Sequence, residues 1–279
     1  MKIFKSEKEL TSFLFTLKRE QKKIGFVPTM GALHQGHISL IATAKKQCDV
    51  VLCSIFVNPT QFDNKNDLKN YPISIEDDIN LLKSISCDLV FIPTVHEMYP
   101  KGEKVQKYDF GGLQNEMEGA FRKGHFDGVG TIVHRFFNIV RPDVAFFGEK
   151  DFQQLQIIKK LIEIENLPIK IVGCPIFREK DGLAMSSRNR KLSKEMRKEA
   201  PVIYKVLKKV QEKITTESIP NIESFVKHTF EKSKLELEYF LICNTQTLKP
   251  TQIIDKKKKY RAFMAVFADD VRLIDNIVL

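Results

Sequence analysis

The chain has 279 residues, of which 43% are hydrophobic and 29% are charged. This composition excludes an intrinsically disordered chain, and the length allows one large or two smaller domains. The net charge of +10 makes nucleic acid a partner to consider, but apart from the run at 256–259 the lysines are scattered singly or in pairs, many of them on predicted helix faces. A solvated basic surface is therefore favoured, and no nucleic-acid partner is expected.

The sequence also carries information about the compartment. No apolar run approaches the roughly 18 residues that a membrane helix needs, and the first ten residues contain no apolar signal core. The five cysteines are far apart and form no Cys-x-x-Cys pair. We therefore expect free thiols in a cytoplasmic protein, with no membrane partner and no zinc or disulfide framework.

Up to about residue 175, short apolar runs alternate with helical patterns. Strands are predicted at 24–28, 50–57, 88–92, 143–147 and 169–173, and helices near 7–20, 37–47, 74–86, 129–140 and 151–165. The apolar runs are uninterrupted, as in DVVLCSIFV, which is typical of a parallel sheet covered on both faces. Residues 1–175 are therefore predicted to form a Rossmann-like, doubly wound α/β domain that binds ligands beyond the carboxyl ends of its strands.

The pattern changes after residue 175. A polar loop leads into one long helix predicted at about 193–213, and a second helix is predicted near 220–233. Strand-like runs at 236–243 and 260–267 and the apolar tail VRLIDNIVL complete the chain. Residues 176–279 are therefore predicted to form a second, smaller α+β domain.

The first motif with chemical meaning lies at residues 22–45, KKIGFVPTMGALHQGHISLIATAK. A strand breaks at Pro28 into a glycine-bearing turn, and a helix follows. Backbone N–H groups at such a helix start favour an anion. His34 and His37 add donors that suit phosphate oxygens and can carry a proton near neutral pH. We interpret this segment as a nucleotide phosphate site; the alternatives are an ordinary helix-start pair or half of a metal site.

Amide side chains follow the second predicted strand, in Asn58-Pro59-Thr60-Gln61-Phe62. Amides at the carboxyl end of a strand can orient a small polar substrate without adding charge. A plain turn is the alternative, because Asn-Pro is itself a turn signal.

A third motif, FFGEKDFQQ at residues 146–154, places a lysine where another strand meets a helix. Lys150 would bring a point charge beside phosphates, and Gln154 lies one helical turn later on the same face. The alternative is that Glu149 and Asp151 only complement the helix N-terminus while the lysine is solvated.

The fourth motif is the polar loop KDGLAMSSRN at residues 180–189. Two serines followed by an arginine could hold a triphosphate through hydroxyl, N–H and guanidinium groups. An ordinary surface loop is the alternative. All four turns are expected at the same edge of one sheet.

In this order and spacing, PTMGALHQGH, SIFVNPTQF, FFGEKDFQQL and DGLAMSSRN resemble the pantoate–β-alanine ligase (pantothenate synthetase) family over nearly the whole chain. The first motif is a variant of the H-x-G-H signature of the wider nucleotidylyltransferase superfamily. The resemblance implies that ATP and (R)-pantoate form pantoyl adenylate and pyrophosphate, and that β-alanine then displaces AMP to give pantothenate. It also implies that Mg²⁺ accompanies the ATP and that the protein is a homodimer.

The resemblance further implies roles for individual residues. His37 would be the catalytic proton donor, with His34 and Lys150 beside the phosphates. Gln61 and Gln154 would hold pantoate, Gln61 later β-alanine, and Asn58 would belong to the same substrate pocket. The ATP pocket would comprise Pro28, Thr29, Met30, Gly31, Ala32, Leu33, His34, Gln35, Gly36, His37, Gly148, Glu149, Lys150, Asp151, Phe177, Met185, Ser186, Ser187 and Arg188.

The metal ligands are not identified by the sequence. Asp77 and Asp78 could contact Mg²⁺, although their position favours a helix-start role. The chain also departs from the family in having Lys123 where proline is common and Ile73 where a basic residue is common. These differences concern loop stiffness and substrate affinity rather than the reaction.

Two other functions stay open at this point. One is a nucleotidyltransferase that joins a nucleotide to a phosphorylated acceptor, which would not need the amide-rich turn. The other is a basic RNA-binding module, which is disfavoured because no stacking aromatic residues alternate with the lysines.

Overall fold

A computed structural model describes residues 1–62, 65–100 and 104–279. The chain divides into two compact units: Met1–Glu149 with Gln153–Pro175, and Lys150–Phe152 with Ile176–Leu279. Each unit has its own sheet and its own hydrophobic core. The short segment Lys150–Phe152 thus groups with the second unit, although its neighbours in sequence belong to the first.

The described part of the first unit contains a six-stranded parallel sheet with the order β1-β4-β3-β2-β5-β6. The chain builds outward from β2 through β3 to β4 and then returns to place β5 on the other side of β2. The switch point of the doubly wound sheet therefore lies between β2 and β5, where such folds bind their ligands. The strands are β1 Lys2–Phe4, β2 Ile24–Thr29, β3 Val50–Ile55, β4 Leu89–Phe91, β5 Val144–Gly148 and β6 Lys170–Cys174.

Helices connect these strands, as parallel pairing requires. None of the described helices is both long and apolar enough to cross a bilayer. The helices are α1 Glu7–Arg19, α2 Gln35–Lys45, α3 Lys65–Lys69, α4 Ile75–Ser84, α5 Val95–Met98, α6 Met117–Phe121, α7 His125–Val140 and α8 Phe152–Ile164, and short 3-10 helices cover Pro59–Gln61, Leu113–Asn115 and Glu149–Asp151.

The core under the sheet is aromatic and centred on α7. Phe136 of α7 lies 5.5 Å from Phe26 of β2 and 6.2 Å from both Phe56 and Phe91, measured between ring centroids. Tilted and edge-on ring pairs at such separations add to the stabilisation from burial alone. The helix is thereby held against the carboxyl-terminal part of the sheet, which is where the candidate site lies.

The second unit contains a three-stranded antiparallel sheet of order β7-β8-β9 and a group of helices. The fold prediction of a doubly wound sheet with a smaller α+β domain is confirmed. The elements are α9 Lys194–Glu199, α10 Val202–Lys213, α11 Ile219–Glu231, β7 Glu236–Asn244, β8 Tyr260–Ala268 and β9 Val271–Val278, with a 3-10 helix at Ser187–Lys191.

The prediction of one continuous helix over 193–213 is wrong. Helix α9 ends at Glu199 and α10 begins at Val202, with Pro201 at the start of the second helix. Proline has no backbone N–H, and its ring collides with the carbonyl group four residues earlier in a helix. The chain therefore stops the first helix and begins a new one at the proline.

Replacing Leu207 of α10 with alanine tests the core of the second unit. The side chain is completely buried, so Leu207→Ala should lower the free energy of unfolding by about 2–5 kcal/mol through lost burial and a residual cavity. Urea denaturation followed by circular dichroism measures the change. Ile253→Ala is the control, since Ile253 is 79% exposed, and it should shift stability by less than about 0.5 kcal/mol. Equal effects of the two substitutions would contradict this description of the core.

Candidate active site

The turn after β2 is held in place by a buried carboxylate. Asp78, in the first turn of α4, is 2% exposed. Its two oxygens accept hydrogen bonds from the backbone N–H groups of Ala32 at 2.8 Å and Leu33 at 2.6 Å. Gly31 and Ala32 have φ of +81° and +48°, a region that costs a side-chain-bearing residue free energy. The two charge-assisted hydrogen bonds offset this cost.

The backbone N–H groups of this turn donate to acceptors within the protein, whereas the sequence predicts that they are available to an anion. Gly31 donates to the Thr29 hydroxyl at 3.2 Å, His37 donates to the His34 carbonyl at 2.8 Å, and Asp78 takes the donors of Ala32 and Leu33. The expected group of N–H groups aimed at an anion is therefore largely committed within the protein.

The two histidines form a reciprocal cap at the start of α2. The Nδ1 of His34 accepts from the Gly36 N–H at 3.1 Å, and the Nδ1 of His37 accepts from the His34 N–H at 3.3 Å. A ring nitrogen that accepts carries no proton, so the neutral rings are protonated at Nε2. The rings lie 4.0 Å apart at 34°, and both residues are half-buried. The cap therefore presents two Nε2–H donors side by side.

The second motif is a 3-10 turn organised by Asn58, which is 1% exposed. Its Oδ1 accepts from the Tyr99 hydroxyl at 2.7 Å and from the Thr60 hydroxyl at 3.0 Å. Its Nδ2 donates to Gln61 Oε1 at 3.1 Å and to the Gly128 carbonyl at 3.2 Å. Asn58 is thus a satisfied buried amide that sets the orientation of the Gln61 side chain.

Gln61 connects this turn to the histidine loop. Its Nε2 lies 3.1 Å from Met30 Sδ, in the loop after β2. Strands β2 and β3 are neighbours with Thr29 opposite Ile55, so the two loops leave the sheet side by side. The first two sequence motifs therefore meet at one place, as predicted from their positions after parallel strands.

Helix α7 and the residues just before it contact the backbone of the Gln61 turn. The Gln61 carbonyl oxygen lies 2.7 Å from His125 Nδ1 and accepts from Arg122 Nη2 at 3.3 Å. Since a carbonyl can only accept, His125 carries its proton on Nδ1, and its Nε2, 3.4 Å from Arg122 Nη1, accepts. Gly128 lets the helix approach, because a Cβ there would lie 2.5 Å from the Thr60 carbonyl oxygen.

The third motif begins at the end of β5, next to β2. Gln153, which is 4% exposed, accepts from the Glu118 N–H at 3.0 Å and donates to the carbonyls of Leu113 and Glu116 at 2.9 and 2.7 Å. Its role is to fix the segment that precedes α7. Gln154, the glutamine singled out from the sequence, is the next residue of α8 and is half-buried.

Gly148 and Glu149 belong to the first unit, whereas the predicted residues Lys150, Asp151, Phe177 and 185–188 belong to the second unit. Lys150 Nζ lies 3.9 Å from Asp151 Oδ1. Phe177 is 42% exposed and its carbonyl accepts from the Met185 N–H at 3.0 Å, which closes a small hairpin. Three of the four motifs thus begin at the neighbouring strands β3, β2 and β5. The fourth comes after β6 in the chain and belongs to the second unit, so the expectation of four turns at one sheet edge stays a prediction.

That last motif is a capped turn. Ser186 Oγ accepts from the Arg188 N–H at 3.2 Å at the start of the 3-10 helix, and Ser187 is 5% exposed. Gly182, in the hairpin before it, has φ +94°, and a Cβ there would lie 2.4 Å from the Tyr204 ring. The turn that carries Ser186–Arg188 is therefore preceded by a closely packed hairpin.

The cysteines near the first site are not activated nucleophiles. Burial raises the pKa of the Cys53 thiol on β3 well above its usual value, and it raises the pKa of Cys87 to about 11. Burial also raises the pKa of Cys48 and Cys174. A thiol with a raised pKa is protonated at neutral pH and reacts slowly. Imidazole and amide groups remain as the chemical repertoire of the candidate site in the first unit.

Sequence reasoning missed the structural roles of several residues that shape this site: it considered Asp78 only as a possible Mg²⁺ contact or a helix-start residue, and it assigned no role to the others. Asp78, Tyr99, His125 and Gln153 all act through hydrogen bonds to segments far away in sequence. The only signal in the sequence was a polar residue at a position where the apolar pattern predicts burial. Such a signal does not identify the residue to which the polar side chain is hydrogen-bonded.

A doubly wound parallel sheet with paired histidines and amides at its switch point defines the class of Rossmann-like nucleotide-binding α/β proteins. A family model described as pantoate-beta-alanine ligase matches residues 2–278. The chain therefore belongs to the pantoate–β-alanine ligase family, a family of enzymes, and the resemblance inferred from the motifs is confirmed.

Individual relatives agree over the full length. A pantothenate synthetase of Christiangramia forsetii is 52% identical over 283 residues, covering 100% of this chain and 99% of that protein. The crystal structure of pantothenate synthetase from Thermus thermophilus matches with a TM-score of 0.91 and 38% identity over 99% of both chains. The pantoate-beta-alanine ligase of Francisella tularensis, complexed with beta-gamma ATP and beta-alanine, matches with a TM-score of 0.84 and 37% identity, covering 100% of this chain and 97% of that one.

Gly128→Ala tests the support of the Gln61 turn by α7. The new Cβ would lie 2.9 Å from Gln61 Cα, so the turn must shift, and a displacement near 1 Å should lower ligase activity by about tenfold or more. Gly130→Ala is the control on the same helix, because the nearest atoms to its Cβ, at 2.9–3.0 Å, would belong to the rings of Tyr108 and Phe110 and not to the Gln61 turn. Steady-state kinetics compare the two. Full activity of Gly128→Ala would show that the turn does not depend on this contact.

Proposed function

We propose that this protein condenses (R)-pantoate with β-alanine in two steps through pantoyl adenylate, with release of pyrophosphate and then AMP. Family membership supports the overall reaction. The observation that carries the proposal is the 3.1 Å contact between Gln61 and Met30. It supports an uncharged amide pocket for a small acid next to the loop after β2 that leads to the paired histidines.

In the first step, a carboxylate oxygen of pantoate attacks the α-phosphorus of ATP. An acyl–phosphate bond forms, the bond to the β-phosphate oxygen breaks, and pyrophosphate leaves. In the second step, the amine of β-alanine attacks the acyl carbon, the carbon–oxygen bond to AMP breaks, and the nitrogen loses a proton. Negative charge grows on the phosphate oxygens in the first step, and preorganised donors stabilise it.

We infer that His34 and His37 act as neutral hydrogen-bond donors through Nε2. Each Nδ1 accepts a backbone N–H in the cap, and that hydrogen bond is kept only while Nδ1 is unprotonated. This refines the sequence expectation that His37 is a proton donor. Two fixed Nε2–H groups can stabilise the charge that develops on ATP without a protonation step.

The amide groups are suited to the acid substrate. Gln61 and Gln154 can bind the hydroxyl and carboxylate groups of pantoate without a formal charge, and Asn58 holds Gln61 in position. A carboxylate that stays free of an ion pair keeps its nucleophilicity. The Francisella tularensis protein is named as a complex with beta-gamma ATP and beta-alanine, which supports the same substrates for this chain.

Lys150, Asp151, Phe177 and the segment 185–188 supply the remaining proposed contacts to ATP. Lysine, serine hydroxyls and arginine are suited to phosphates, and Asp151 is suited to ribose hydroxyls.

We propose residues 1–175 and 176–279 as the two domains, with Lys150–Phe152 grouped with the second. We further propose a cytoplasmic homodimer, which light scattering of the purified protein tests.

Mg²⁺ would be brought by the phosphates of ATP. In the described ranges, no three His, Cys, Asp or Glu side chains are grouped so that they could hold a metal. Both oxygens of Asp78 accept N–H groups of the turn after β2, so a structural role for Asp78 is favoured over metal binding. When bound, the ion would neutralise phosphate charge; the protein residues position the reactants.

An omission assay tests the proposed reaction. With ATP, pantoate and β-alanine together, AMP should form continuously. With pantoate alone, one pyrophosphate per active site should appear as a burst, because the acyl adenylate then waits for the amine. With β-alanine alone, no pyrophosphate should form. Incorporation of AMP into a stable dinucleotide product would instead identify a nucleotidyltransferase.

His37→Ala tests the charge-stabilising role of the histidine pair. Loss of one Nε2–H donor should lower the rate of pantoate-dependent pyrophosphate release by roughly 10²–10⁴-fold. His96→Ala, at an exposed position of α5, is the control and should leave the rate near wild type. A near-normal rate for His37→Ala would reject the assignment of this site.

A further inference from the structure

Two adjacent residues of the last strand are buried and polar. Asp275 and Asn276 lie on β9 with 4% and 2% exposure. Burying a carboxylate or an amide costs free energy unless each is hydrogen-bonded. The partners of these two side chains therefore show which segments the last strand holds in place, and the partners Lys150, Arg178 and Arg261 lie within the second unit.

Asn276 holds the backbone of the Lys150 segment. Its Nδ2 donates to the Lys150 carbonyl oxygen at 2.9 Å, and its Oδ1 accepts from Arg261 Nη1. The guanidinium carbon of Arg261 in turn lies 4.2 Å from the centroid of the Phe152 ring. Asn276 of β9 thus holds the Lys150 end of the segment Lys150–Phe152, and Arg261 of β8 holds the Phe152 end.

Asp275 holds the hairpin that precedes the Ser186 turn. Its carboxylate accepts from Arg178 Nη1 at 2.6 Å and Nη2 at 2.9 Å, and such a bidentate pair adds geometric specificity. Arg178 also donates to the Gly182 carbonyl at 3.1 Å and lies 3.8 Å over the ring of Tyr204. Residues 178 and 184 are bridged across the hairpin, and the chain continues directly into Met185.

We propose that Asp275 and Asn276 are positioning residues for ATP: Asn276 fixes Lys150, and Asp275 fixes the segment that presents Ser186, Ser187 and Arg188. The inference rests on the proposed function, which assigns these side chains to the phosphates. Phosphoryl transfer depends chiefly on positioning and charge stabilisation, so a misplaced ammonium group should cost rate even when the fold is intact.

Asn276→Asp is the most selective test. It keeps the oxygen that accepts from Arg261 but replaces the N–H donor to the Lys150 carbonyl with a second oxygen. The rate of pantoate-dependent exchange between pyrophosphate and ATP should fall about 10–100-fold, the scale expected of a 1 Å displacement. Circular dichroism should show an unchanged fold. Asn276→Ala, which removes both contacts without adding charge, should show a loss at least as large.

Asn244→Asp is the matched control. Asn244 of β7 donates through Nδ2 to the carbonyl of another lysine, Lys259, at 3.5 Å, while its Oδ1 accepts from Gln246 and Thr247. The substitution removes the same kind of hydrogen bond in the same unit at residues with no proposed ATP contact. Exchange should remain within about twofold of wild type. An equal loss in this control would overturn the proposal.

A double-mutant cycle with Lys150→Ala separates positioning from a merely structural role. If Asn276 acts through Lys150, adding Asn276→Asp to Lys150→Ala should cause less than about twofold further loss. Additive losses, or failure of both Asn276 variants to fold at the assay temperature, would overturn the proposal. Absence of exchange in the wild-type protein would instead reject the proposed function, whereas normal exchange in Asn276→Asp rejects only the positioning role.

Discussion

The pair of hydrogen bonds from Ala32 and Leu33 to the buried Asp78 carboxylate is the constraint on which the first site depends. It holds a left-handed turn between β2 and α2 and commits backbone donors that a helix start otherwise offers to an anion. The turn leads directly into the reciprocal cap of His34 and His37. Because these backbone donors are committed, the proposed role of the site rests on the side chains of this cap.

The amide pocket beside it is assembled from three directions. Asn58 organises the turn after β3, Tyr99 contributes a hydroxyl from beyond α5, and α7 supports the Gln61 carbonyl through His125. Gly128 makes this possible by leaving room for a backbone carbonyl. The Gln61 side chain, which lies on a short turn, is therefore held in one orientation by contacts from segments distant in sequence.

In the second unit, too, buried polar side chains hold segments that are distant in sequence. Its last strand carries a carboxylate and an amide next to each other: Asn276 holds the backbone of Lys150, and Asp275 holds Arg178 of the hairpin that leads into the proposed ATP-binding segment 185–188. Buried polar groups of this kind contribute little net stability but specify one arrangement, since any other would leave them unpaired. The Asp275–Asn276 pair is thus best understood through the geometry of Lys150 and of the hairpin at 178–184.

The sequence by itself determined the parallel α/β unit, the smaller α+β unit, five of the six parallel strands and the family, because uninterrupted apolar runs and ordered motifs are local properties. It missed β1, which has three residues, two of them exposed, and so lacks an apolar pattern. Only the tertiary structure showed that Asp78, His125 and Asn276 hold the candidate site residues, and that Lys150–Phe152 group with the second unit. The physical reason is that periodicity reports which residues are buried, whereas a buried polar side chain finds its partner through contacts between segments distant in sequence.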